Sequence, residues 1–255
     1  KDANAWIKEN DPDKEFERIA RDEAEPLEHA LHIINIVIEK MLDKFGTKEY
    51  RVYESCPTPE NWRTEFYTEY KANRKPRVCI HNAAIKEFLA DKWGSHSEKG
   101  MEADDAISMD AWSLGEMKRD YVVITIDKDM KQIPGRFYDW TKDEETVISH
   151  SDAIEFLGCQ IIAGDSVDNI KGIPKMGMVK AKKWLDAYEG HRTHPELKAW
   201  ACYQEYYEDK DEADYRFHLN RALVSLPRNL DMLRSLKHEV KTYYGKLQEK
   251  EASKT

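Results

Sequence analysis

The chain has 255 residues, 40% of them apolar and 35% charged, and a formal net charge of −9. That length suits one large domain, or a domain with a smaller subdomain, and no run of ~18 apolar residues is present to span a bilayer. Cys56, Cys79, Cys159 and Cys202 are scattered without paired spacing, which fits a reducing cytoplasm better than a disulfide framework or a zinc site.

Residues 1–26 are highly charged with no clear period, so they read as a helix or an arm. Leu27, Leu31, Ile34, Ile38 and Leu42 recur at helical spacing and predict an amphipathic helix ending near Gly46. Tyr50 to Glu54 alternates like a strand. Residues 61–75 interleave Trp62, Phe66, Tyr67 and Tyr70 with Arg63, Lys71, Arg74 and Lys75. A second helix is expected over Ala83 to Trp93, and a loop over Gly94 to Gly100.

Beyond that loop, Ile107, Ala111 and Leu114 share a helical face, so Glu102, Asp104 and Asp105 sit at the start of that helix. Tyr121 to Ile126 is a continuous β-branched and aromatic run, the pattern of a strand covered on both faces. Asp127 and Asp129 follow at its C-terminal end, where open α/β sheets place their ligands. Short strands are expected at Phe137 to Trp140 and Thr146 to Ile148. Ser151 is placed to cap a helix running to about Ala163. After Gly164 the chain reads as helical, interrupted by Gly172-Ile-Pro-Lys-Met-Gly177. The expected fold is α/β, a twisted and mostly parallel sheet flanked by helices, with an all-helical subdomain after residue 150.

Each acidic cluster alone is weak evidence, because acidic residues at a helix start commonly complement its dipole. Asp165 and Asp168 are three apart and would share one face of a helical turn. Three clusters at element ends, with hard oxygen ligands and no nearby His or Cys, point to Mg²⁺ or Mn²⁺. A carboxylate-lined pair of such ions is suited to phosphodiester hydrolysis. The Gly172–Gly177 turn, followed by Lys180, offers backbone amides to a phosphate, although a plain helix–helix turn would look the same. Residues 67–75 suit a single strand, with bases on Tyr67 or Tyr70 and phosphates on the cations, although a solvated basic helix face is the favoured reading of that segment taken alone.

Glu-Ala-Asp-Asp, Asp-Lys-Asp, Gly-Asp-Ser-Val-Asp-Asn-Ile, the Gly-Ile-Pro-x-x-Gly turn and Tyr-Lys-Ala-Asn-Arg occur in an order that resembles the 5′-nuclease superfamily. That superfamily comprises flap endonucleases, the 5′-nuclease domains of bacterial DNA polymerases and phage 5′→3′ exonucleases. The resemblance spans roughly residues 27 to 230 and is greatest to the phage enzymes. It implies a nuclease domain over 1–150, with a basic arch at about 62–95, and a helix–turn–helix duplex-binding subdomain over 151–255.

The resemblance also implies roles. Glu102, Asp104, Asp105, Asp127 and Asp129 with Asp165 and Asp168 would hold two metal ions. Lys71 and Arg74 would be catalytic at the scissile phosphate, and Arg63, Tyr70 and Lys75 would join them in contacting nucleic acid. Gly172, Gly177 and Lys180 would grip duplex phosphates, with K⁺ at the turn in some relatives. The implied activity is 5′→3′ exonuclease and flap-endonuclease cleavage of DNA, or of RNA–DNA hybrids, alongside replication proteins in a bacterial or phage-infected cytoplasm.

Three departures stand beside this. The family opens with a hydrophobic strand bearing an aspartate ligand, whereas Asp2 lies in polar sequence, so either the chain starts downstream of its native N-terminus or the site is incomplete. Glu54 stands where relatives usually have Asp, and Met178-Val-Lys180 replaces their Gly-Pro-Lys. An incomplete site would leave a non-catalytic junction-binding protein as the alternative. A small-molecule phosphohydrolase would need neither the glycine turn nor the aromatic–basic segment.

Overall fold

The computed structural model describes residues 26–75, 79–190 and 193–253; the charged stretch 1–25 lies outside the described residues. Helix α1, Leu27–Phe45, follows the predicted stripe and ends at Gly46, whose φ of 57° is the left-handed cap that glycine adopts without cost. None of its residues is fully buried. Of the strand predicted at Tyr50 to Glu54, only β1, Tyr53–Glu54, is paired, parallel to β2, His96–Ser97, within the expected loop. Helix α2 spans Asn82–Trp93 and α3 spans Ala103–Glu116.

A three-stranded sheet follows, with β3 (Val122–Ile124) parallel to β4 (Gly135–Asp139) and β5 (Glu144–Ile148) antiparallel to β4. Two adjacent parallel strands need a crossover. Residues 125–134 supply it and carry Asp127 and Asp129 past the C-terminal end of β3. The α/β architecture therefore matches expectation, with the strands of the described residues divided among three short sheets in which two pairings are parallel and two antiparallel.

Helix α4, His150–Ala163, is capped by Ser149 rather than Ser151: the Ser149 hydroxyl accepts the Asp152 amide at 3.0 Å. Leu157 through Ile162 are all buried, so α4 is the central helix of the C-terminal half. It packs on α5 (Met178–Ala187), α6 (Pro195–Tyr206) and α7 (Lys210–Val224). Ile161, Ile162, Leu185, Tyr203 and Phe217 form the core there. A second core (Val123, Met130, Ile133, Phe137) lies against the sheet, and a third joins Trp62 to Leu233, Leu236 and Val240 of α8 (Leu230–Ala252).

The expectation of helix throughout after Gly164 is corrected by an antiparallel hairpin, β6 (Gly164–Asp165) and β7 (Ile170–Lys171). Its base closes because two glycines meet: a Cβ on Gly172 would lie 2.1 Å from the Ala163 carbonyl carbon, and one on Gly164 would lie 2.3 Å from the Gly172 nitrogen. Asp165 and Asp168 thus sit on a hairpin, not on one helical turn. No described helix is long and apolar enough to cross a membrane.

Candidate functional site

Glu102, Asp104, Asp127, Asp129, Asp165 and Asp168 border one cavity of about 400 Å³, together with Lys71, Arg74 and Lys128. Four elements deliver these side chains. The N-terminus of α3 brings Glu102 and Asp104, the β3–β4 crossover brings Asp127 and Asp129, and the β6–β7 hairpin brings Asp165 and Asp168. The segment 67–74 supplies Lys71 and Arg74, and the crossover adds Lys128.

Within the crossover, the Asp127 carboxylate accepts the Asp129 amide at 2.9 Å, which starts a 3-10 turn over Lys128–Gln132. Asp129 in turn accepts a 2.6 Å bond from Gln160, itself bonded to Gln132, which donates to the Val224 carbonyl. On the hairpin, Asp165 accepts the amides of Val167 (2.7 Å) and Asp168 (3.3 Å), so backbone bonds fix its carboxylate.

The basic segment lies directly on this hairpin. The Lys71 amide donates to the Asp168 carbonyl, the Asn73 side chain to the Ser166 carbonyl at 3.0 Å, and the Asn169 side chain to the Glu69 carbonyl at 2.8 Å. Tyr67 donates its hydroxyl to the Asn169 carbonyl at 3.0 Å. Lys71 and Asn169 both have positive φ, 57° and 60°. Asn tolerates that conformation, whereas for Lys it is a strained one that the surrounding bonds must impose. The result directs the Lys71 ammonium to Glu102 and to within 3.6 Å of Asp168. Arg74 pairs with Asp168 as well, and Lys128 reaches Asp165 at 3.2 Å.

Crowded like charges shift these groups. Burial, then the charges of Asp127 and Glu102, push Asp104 up to about 7. Burial, then Asp127 and Asp165, push Asp129 up to about 6. Burial alone would also raise Glu102, but Arg63 and Lys71 beside it hold it below the ordinary carboxylate value. Such repulsion is relieved by cations. As the side chains stand, no three carboxylate, imidazole or thiolate groups among the described residues converge tightly enough to hold an ion. Glu102 meets Lys71, Asp168 meets Lys71 and Arg74, Asp165 meets Lys128 and Asp129 meets Gln160 instead. The donor set nevertheless fits a hard divalent cation: oxygen ligands only, excess negative charge, and ammonium groups already standing as counter-charges.

Several predicted residues lie elsewhere. Asp105 is fully buried away from the cavity, gripped by both ends of the Arg63 guanidinium at 2.7 and 2.8 Å. Arg63 is 2% exposed, so it cannot meet a phosphate as expected. Tyr70 is also buried, its hydroxyl bonded to Glu102 (2.7 Å) and Asp168 (3.2 Å), and it has no free face for a base. Glu54 bonds Ser95 and pairs with Lys86 at 3.5 Å, outside the cavity. Lys75, Gly177 and Lys180 are exposed, and Gly172 serves the hairpin base. Sequence reasoning missed Lys128, Gln160, Asn73 and Asn169. Gln160, a polar residue within the apolar run of α4, was a usable signal.

Residues 15–156 match the family described as 5′-3′ exonuclease, N-terminal resolvase-like domain. The chain belongs to this family. Among curated relatives, it is 31% identical over 147 residues to DNA polymerase I of Rhizobium leguminosarum, covering 51% of this chain and 14% of that protein. It is 27% identical to flap endonuclease Xni of Shewanella sediminis, covering 50% of this chain and 55% of that protein. For the Shewanella oneidensis Xni the identity is 25%, covering 68% of this chain and 72% of that protein. The chain thus spans about half the length, or less, of the first two. The fold is that of the phage T5 5′-exonuclease with divalent zinc bound, at TM-score 0.55 and 17% identity, over 94% of this chain and 95% of that one. A T5 D15 flap endonuclease complex with DNA and metal ions gives TM-score 0.53 and 16% identity, over 87% and 92%.

Proposed function

We propose that this cavity hydrolyses phosphodiester bonds in DNA with divalent cations, proceeding from a 5′ end and also cutting 5′ flaps. The observation that carries the reading is the convergence of six carboxylates and three cationic side chains from four separate elements on one cavity. Family membership supports it, as do flap endonuclease relatives and a structural neighbour bound to DNA and metal ions.

Glu102, Asp104, Asp127 and Asp129 would hold one Mg²⁺ or Mn²⁺, and Asp165 and Asp168 would complete a second. Such a cation lowers the pKa of a bound water and offsets charge on the phosphate and the leaving oxygen. Lys71 and Arg74, fixed by the hairpin bonds, present positive charge where the scissile phosphate would lie, which stabilises charge developing there. Lys75 continues that basic track. Most of the cutting half lies before residue 150, and the β6–β7 hairpin completes it with Asp165 and Asp168; the rest of 151–255 would grip the duplex through the exposed Gly177 turn and Lys180. Replication intermediates, including RNA–DNA junctions, are the natural substrates of such a site.

The test is cleavage of a 5′-labelled flap beside a 3′-labelled overhang. Product should come from the 5′ side only, with Mg²⁺ or Mn²⁺ and not with Ca²⁺. Release solely from the 3′ end, or full activity in excess chelator, would overturn the proposal.

A further inference from the structure

We propose that the buried Arg63–Asp105 pair is a positioning device that sets Glu102 at the cavity. The proposal rests on the nuclease reading above and assigns the pair neither to metal nor to DNA.

Arg63 is 2% and Asp105 0% exposed. The guanidinium grips both Asp105 oxygens and donates to the carbonyls of Leu223 and Ser225, each at 2.8 Å. Leu223 lies in the last turn of α7 and Ser225 caps it, so neither carbonyl has a helical partner of its own. Asp105 also accepts the Trp62 indole N–H at 3.1 Å and the Glu102 amide at 3.2 Å. The pair therefore ties together the turn at 61–65, the start of α3 and the end of α7. Glu102 is the residue that enters α3 at this point, and its side chain crosses from the pair to the cavity, 3.8 Å from Arg63 on one side and bonded to Lys71 on the other.

Packing alone does not call for this pair. Burying two charges is costly, and apolar residues of similar volume commonly hold a core as well or better. What a planar fork adds is direction, because bidentate bonding fixes the carboxylate plane. Here that plane determines where the Glu102 amide, and hence the Glu102 side chain, must lie. Groups that orient ligands in this way tune the ligand without touching the ion.

The test uses Arg63→Lys, which keeps the charge and loses the fork, and the apolar pair Arg63→Met with Asp105→Leu. Thermal unfolding, Mn²⁺ affinity by spin resonance, duplex affinity in Ca²⁺ and single-turnover cleavage are measured for each. Both variants should fold cooperatively, and both should bind duplex within about threefold of wild type, since grip comes from phosphate contacts elsewhere. Mn²⁺ affinity and cleavage rate should each fall about 10–100-fold. A folded variant with wild-type Mn²⁺ affinity would reduce the pair to packing and overturn the proposal. Failure of both variants to fold would overturn it too, by making the pair an element of the fold. If wild-type protein does not cleave, the nuclease reading fails, while the Mn²⁺ measurement still decides the role of the pair.

Discussion

Asp127 contributes the leading charge that raises both Asp104 and Asp129, so it is the carboxylate on which the cavity's negative potential most depends. Asp127→Asn should lower cleavage by orders of magnitude while duplex binding changes by less than about tenfold, ~1.4 kcal/mol. Single-turnover kinetics beside anisotropy in Ca²⁺ checks this, and wild-type turnover would remove Asp127 from the chemistry. The two turn glycines separate fold from grip. Gly172→Ala drives a Cβ into backbone 2.1 Å away and should destabilise the protein by several degrees in Tm. Gly177 has φ −79° and nothing within 4 Å of its Cβ direction, so Gly177→Val should cost no more than the ~1 kcal/mol of a poor helix N-cap and should weaken duplex binding. Equal duplex affinity would show that the turn does not touch DNA. The types and spacing of these residues were readable from the chain, but their direction was not. Asp104 and Asp105 are adjacent on a helix, about 100° apart around its axis. Arg63, 42 positions away, and its neighbour Trp62 determine which of them turns inward, since both donate to Asp105. Tyr70 misled for the same reason: its hydroxyl is claimed by Glu102 and Asp168, neither local in sequence.

Between elements, the contact that governs the cavity is the docking of segment 67–74 on the β6–β7 hairpin. Asn73→Ala with Asn169→Gly removes two side-chain-to-carbonyl bonds, each worth about 1 kcal/mol, and leaves the carboxylates in place, because glycine keeps the positive φ at 169 without strain. The strained Lys71 backbone should then relax, the Lys71 amide that donates to Asp168 should exchange faster with deuterium, and single-turnover cleavage should fall about tenfold or more. Unchanged exchange at Lys71 would mean that these bonds do not hold the segment. Helices were the legible elements because their apolar period is long and their ends are marked, as at Gly46. The strands were harder, since β1, β2, β6 and β7 are two residues each and carry no alternation to read. The hairpin was hidden within Gly-Asp-Ser-Val-Asp-Asn-Ile, whose polar residues read equally well as a helical turn. It became visible only through the Gly164–Gly172 contact.

Over the whole molecule, the carboxylate excess links stability to pH and to cations. A carboxyl raised in the folded state binds its proton more tightly there than when unfolded. Asp104, at about 7, and Asp129, at about 6, therefore penalise folding at high pH, and the penalty fades as pH falls toward the ordinary carboxylate value. The opposite sign holds for Glu239, which is held down to about 2. Burial opposes that shift, but His218 and Arg221 of α7 outweigh it. Its contribution is complete above its unfolded value and is lost as pH falls from about 4.5 toward 2. Cation-free protein should thus gain Tm between pH 8 and about 5 and lose it again below about 4. Mg²⁺ at a hundred times its Kd should add ~2.7 kcal/mol at pH 8, and clearly less at pH 5.5, where protons compete for Asp104 and Asp129. Calorimetry across pH with and without Mg²⁺ checks both signs. A Mg²⁺ increment that does not shrink at pH 5.5 would show that the ion binds away from these two carboxylates, and it would separate the acidic cavity from the metal chemistry proposed for it.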